Sequence, residues 1–116
     1  MKELLLKVNA LALEELNSSM EKFPLFNSEH EGYAVIKEEA EELQEEAGEA
    51  KCCVWQIWNH VRNNTHHTAI SIDRLRQAAL NAAAEAVQVV AMCEKWNRSF
   101  QKEGDRHSLT DNIKNT

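Results

Sequence analysis

The sequence has 116 residues with 19 acidic against 13 basic side chains, a formal net charge of -6, and 6% aromatic residues. That length suits a single domain, and the acidic balance excludes a nucleic-acid duplex as main ligand, because binding a phosphate backbone needs a basic stripe. Only 3 Gly and 1 Pro interrupt the chain, residues that lose little freedom in a helix dominate it, and β-branched alternation never lasts beyond a few residues. The fold class is therefore all-α.

Taken in chain order, a first helix is predicted from Lys2 to about Lys22, with Leu5, Val8, Ala12, Leu16 and Met20 recurring every three or four residues. Pro24 ends it by barring the preceding residue from helical geometry. Ser28 followed by Glu31 has the spacing of a capping box and opens a second helix that reaches about Arg62. A polar break from Asn63 to Thr68 precedes a third helix, from about Ser71 to Lys102. Residues 1–103 are expected to form one all-α domain and residues 104–116 a mobile polar tail.

The start, Met1-Lys2-Glu3-Leu4-Leu5-Leu6, has no small-residue cleavage site and reads as a helix start rather than a signal peptide. Apolar runs such as Ala82–Ala84 are too short for a bilayer, so no membrane partner is expected. Cys52, Cys53 and Cys93 lack metal or redox spacing and read as apolar filler in a reducing, cytoplasmic setting.

The second and third helices carry matching apolar seams. Ile36, Ala40, Leu43, Ala47, Ala50, Val54, Ile57 and Val61 alternate steps of four and three, as do Leu75, Ala79, Ala82, Ala86, Val89, Cys93, Trp96 and Phe100. Such heptad-like seams let long helices pack nearly antiparallel. Three helices of unequal length would leave part of them wet, and Val87, Val90 and Ala91 make the third helix apolar on its far side too. A homodimer or homotetramer completing a four-helix core is expected, with Trp55 and Trp58 at the interface.

Residues 38–49 form the densest cluster of carboxylates, seven glutamates in twelve positions. A glutamate-rich stretch is ordinarily a solvated helix face, and geometry separates its members. At about 100° per residue, Glu39, Glu42 and Glu46 lie on one side of the seam, about 60°, 120° and 80° from Ile36, while Glu38, Glu41 and Glu45 face solvent. On the third helix, Glu85 and Gln88 occupy the same side relative to Ala82, about 60° and 120° round. If the two edges meet, three carboxylates and an amide oxygen converge, and hard oxygen ligands suit Mg²⁺ or Mn²⁺. A metal so held invites the polyphosphate of a nucleotide. Lys95, farther along that edge, is a candidate for a phosphate contact, and Tyr33 for stacking on a base. No Ser or Cys nucleophile constellation accompanies them.

Phe26 to Leu43, which contains Glu38-Glu39-Ala40-Glu41-Glu42, and Ala84-Glu85-Ala86-Val87-Gln88-Val89-Val90-Ala91-Met92 together resemble the phage and prophage branch of the MazG-like proteins, all-α nucleoside triphosphate pyrophosphohydrolases. The resemblance covers most of the chain from about Phe26 to Phe100. It implies a MazG-like helical bundle and Mg²⁺-dependent hydrolysis of a (d)NTP to the monophosphate and pyrophosphate. The family signature, E-E-x-x-E then E-x-x-D, falls on Glu38, Glu39 and Glu42 and then on Glu85 and Gln88. Glu39, Glu42, Glu85 and Gln88 are the expected metal ligands, and Glu38 or Glu46 the residue that orients or deprotonates water. Gln88 stands where the signature has aspartate, and the gap between the half-motifs is longer than usual. The alternative expectation is a catalytically weak or inactive module of the same fold that binds a nucleotide or a protein partner.

Overall fold

A computed structural model describes residues 1–100, which form α1 (Lys2–Met20), α2 (Glu29–Arg62) and α3 (Thr68–Phe100). The protein is all-α, with no strand among the described residues. The tail expected at 104–116, and the expected end of the third helix at Lys102, lie outside the described residues. No described helix is long and apolar enough to cross a membrane.

The helix boundaries follow local chemistry. Ser28 Oγ accepts the backbone N–H of Glu31 at 3.1 Å, so the expected Ser28 cap opens α2, while the return bond of a capping box is made one residue early, the Glu31 carboxylate accepting the N–H of Asn27 at 3.4 Å. α1 ends at Met20, two residues before the expected Lys22, because Lys22 and Phe23 both donate to the carbonyl of Ser19 in a closing turn. α3 starts at Thr68 rather than Ser71. Asn64 and His66 adopt left-handed backbone angles (φ 53° and 59°), which reverses the chain quickly enough for the helix to resume early.

Among the described residues two compact units are present, and the division falls within α2 and within α3: residues 1–39 with 87–100, and Ala40–Ala86. The first holds three helical segments around one apolar core. Ala12, Leu16, Phe26, Ala91 and Met92 are buried there, and Met20, Val35, Ile36, Val87, Val90, Trp96 and Phe100 pack against them. Ala91 is buried in this core with Ala12 and Leu16 of α1, and Val87 and Val90, half-buried, pack against it. Arg98 ties α3 to α1 by donating to Asn17 Oδ1 at 3.3 Å, and it is steadied by Glu94 of its own helix at 3.3 Å. Gly32 lets the Trp96 ring approach the α2 backbone: a Cβ there would sit 2.7 Å from Trp96 Cε3.

The second unit is a two-helix hairpin with a contact line that differs from the expected seam. Glu46, Ala50, Cys53, Ile57 and His60 are buried or half-buried on α2, and Thr68, Ser71, Leu75, Ala78, Ala82 and Glu85 on α3. The steps of three and four are as expected, but the line runs through Cys53 and Ala78. Ala40, Ala47, Val54, Val61 and Ala79 of the expected seam are exposed. A pair of helices has one shared face, and the broad apolar stripe of α2 is wider than that face. Small residues line the contact, which favours close helix approach, and the large apolar side chains remain outside: Trp55 is 64% and Trp58 55% exposed. Cys52 and Cys93 are also exposed, so of the three cysteines only Cys53 fills the core.

Candidate functional site

The contact line of the hairpin places its acids. At about 100° per residue, Glu42 and Glu46 project within about 20° of the Cys53 direction and Glu39 within about 40°, so these glutamates continue the buried line rather than flank it. Each is half-buried, whereas Glu38, Glu41 and Glu45 are exposed. Glu85 ends the corresponding line of α3 and is half-buried as well. Glu39, Glu42 and Glu85 each present a carboxylate oxygen, and the three atoms lie within 4.8 Å of one another, the one such metal-competent group among the described residues.

The donor set suits a hard divalent cation. Oxygens bound to one Mg²⁺ at about 2.1 Å can lie at most about 4.2 Å apart, so the three carboxylates would have to draw slightly closer than their 4.8 Å limit to share one ion.

The remaining candidates are placed as follows. Glu46, one turn beyond Glu42, accepts a hydrogen bond from Asn81 Nδ2 at 3.4 Å. Glu38 is exposed beside Glu39. Gln88, one turn beyond Glu85, donates from its amide nitrogen to Glu15 Oε1 of α1 at 3.1 Å. Tyr33 is 62% exposed and lines an open groove of about 350 Å³ with Ile36, Cys93, Trp96 and Asn97. Lys95 is not brought to the acids: it lies ten residues beyond Glu85, about 15 Å of helix rise, with its ammonium 4.6 Å from the centre of the Phe26 ring.

Three neighbours escaped the sequence. Asn81, Glu15 and Glu49 meet Glu46, Gln88 and Cys53 respectively. Glu15 and Gln88 are 73 positions apart, and no local pattern announces such a pair. Glu49 stands one turn before Cys53, whose Sγ is 3.9 Å from its carboxylate; burial raises this thiol's pKa above 9.0, and the Glu49 charge raises it further.

The fold and the acids define an all-α protein with a three-carboxylate cluster of hard oxygen donors. Comparison with protein-family models, curated proteins and solved structures finds no match.

Proposed function

We propose that this protein is a Mg²⁺-dependent nucleoside triphosphate pyrophosphohydrolase, converting a (d)NTP and water to the (d)NMP and pyrophosphate. The observation that carries the reading is the convergence of Glu39, Glu42 and Glu85, and the resemblance of Phe26–Leu43 and Ala84–Met92 to MazG-like sequences supports it. Glu39, Glu42 and Glu85 hold Mg²⁺, with Mn²⁺ as a substitute. Bound metal would offset charge on phosphoryl oxygens and acidify a coordinated water. Glu46 is the side chain best suited to take the proton of that water, since it is half-buried on the same line. Exposed Glu38 is the second candidate, and its solvation makes it the weaker one. The bond broken joins the α and β phosphates, and pyrophosphate leaves.

The protein acts as a homodimer or homotetramer in this reading, with a MazG-like four-helix core. Support comes from the exposed apolar stripe of α2, where Val54, Trp55, Trp58 and Val61 are each more than half exposed. Apolar area of that kind marks association surfaces.

Pyrophosphate release from a nucleotide panel with Mg²⁺ tests the chemistry. Glu39→Gln and Glu85→Gln are each expected to lose at least about a hundred-fold in turnover, the scale of losing an electrostatic catalytic group; equal turnover in wild type and both variants refutes it. A second reading is favoured by Gln88, whose amide is weaker than aspartate as a metal ligand and is engaged by Glu15: a module that binds nucleotide, or a protein partner, without turning nucleotide over. Gln88→Asp discriminates. A large gain in turnover marks a weakened enzyme, and no turnover in either form marks the binding module.

A further inference from the structure

The linker between α1 and α2 closes over a cavity of about 360 Å³ whose walls include Phe23, Leu25, Val35, Met92, Glu31 and Lys95. Lys95 is the one cation among them, and only 7% of it is exposed. Among the described residues, its ammonium makes no ion pair or side-chain hydrogen bond, and its partner is the face of Phe26. The ammonium itself keeps some contact with solvent, since the one buried polar side-chain atom without a hydrogen bond among the described residues is Asn9 Oδ1, and an aromatic face gives a cation less than a paired anion does. The ammonium can therefore take an anion from the cavity side, and the cavity beside it is large enough to admit one.

The walls define which anion. They are mostly apolar, and Phe23 is 63% and Leu25 37% exposed, which leaves large apolar surface waiting at the mouth. One cation faces them, and the Glu31 carboxylate on the same wall repels a second negative charge. We propose that this cavity binds a small monocarboxylate with an apolar body, its carboxylate on Lys95 and its chain or ring among Phe23, Leu25, Val35 and Met92. The site is independent of the nucleotide reading and gives Lys95 a ligand of its own.

Calorimetric titration of the full chain with octanoate, 1-octanol and inorganic phosphate tests the site. Octanoate is expected to bind about ten- to hundred-fold more tightly than octanol, the scale of a charge-assisted hydrogen bond, and more tightly than phosphate, which cannot use the apolar walls. In Lys95→Met the preference for octanoate over octanol disappears, whereas Lys95→Arg keeps it. The wild-type comparison stands even where a variant folds poorly. Equal binding of octanoate and octanol, phosphate binding as tightly as octanoate, or no octanoate binding at all would each overturn the proposal.

Discussion

The two units of this small protein solve the same packing problem with different materials. Around Leu16 and Phe26, three helical segments enclose large side chains, and α1, α2 and α3 all contribute to one apolar core. Between Ala40 and Ala86, the fully buried positions of the two segments are the small Cys53, Ser71 and Ala78, Ile57 and Leu75 are half-buried, and Trp55, Trp58 and Leu80 stay on the outside. A three-segment unit can bury bulk from every direction. A hairpin can bury only one line per helix, so its stability and its function depend on what else covers it. The contrast bears on the acids: Glu42 and Glu85 are half-buried on the contact line of the hairpin, not in the three-segment core.

The largest effect is expected from Leu16→Ala. Leu16 is fully buried, and truncation there should cost about 3 kcal/mol, lowering the thermal midpoint equally at low and high protein concentration. A concentration-dependent loss would show that the three-segment unit is not self-sufficient. Next comes the outer face of the hairpin. Replacing Trp55 and Trp58 together with Ser should weaken self-association by about 2 kcal/mol or more, the scale of an aromatic interface anchor, which sedimentation equilibrium would read. An unchanged association constant would leave that face as mere surface.

The two glycines of α2 provide a paired test. At Gly32 a Cβ would meet Trp96 Cε3 at 2.7 Å and Phe26 Cδ2 at 3.1 Å, and the Trp96 ring is held by Phe100 with centroids 4.9 Å apart. Overpacking of about 1–3 kcal/mol outweighs the helical gain of about 1 kcal/mol over most of that range, so Gly32→Ala should destabilise by up to about 2 kcal/mol. At Gly48 nothing lies within 4 Å of the added carbon, and Gly48→Ala should stabilise by up to about 1 kcal/mol. Urea midpoints moving in the same direction for both would break the comparison.

The smallest effect is a pH slope. The Cys53 thiol is raised above 9.0 by burial and by Glu49, so the folded chain holds this proton more tightly than the unfolded chain does. Its contribution is complete below pH 9 and declines as pH rises above that value. Denaturation midpoints should fall between pH 8.5 and 10, on the order of one titrating group, and fall less in Cys53→Ala. An identical slope in the variant would remove Cys53 as the cause.

Much of this architecture was legible along the chain because it is written in local chemistry. The Ser28 and Glu31 cap, the Pro24 break and the steps of three and four each act over a single turn of helix. The same angular reasoning puts Glu39, Glu42 and Glu46 on one side of α2 and Glu85 and Gln88 on the matching side of α3, since a helix of known period fixes which side chains share a side; it does not separate the three that converge from the other two. What it could not give was the contact line itself. Alanines fill so much of α2 and α3 that lines through Val54 and through Cys53 look equally apolar, and only packing against the partner helix decides between them. Lys95 shows the other limit: its place farther along the Glu85 edge of α3 suggests a phosphate contact, yet Phe26, reached only through the fold, is the group its ammonium lies against.

The most direct test of the central claim is a titration with Mn²⁺ followed by electron paramagnetic resonance, with Mg²⁺ as competitor. Wild type should bind Mn²⁺ in a site that Mg²⁺ empties, and Glu85→Gln, which leaves every residue of α2 intact, should weaken it by about ten-fold or more, the loss expected for one charged ligand. Binding of equal strength in wild type and Glu85→Gln, or no binding by wild type, would contradict a cation shared between α2 and α3.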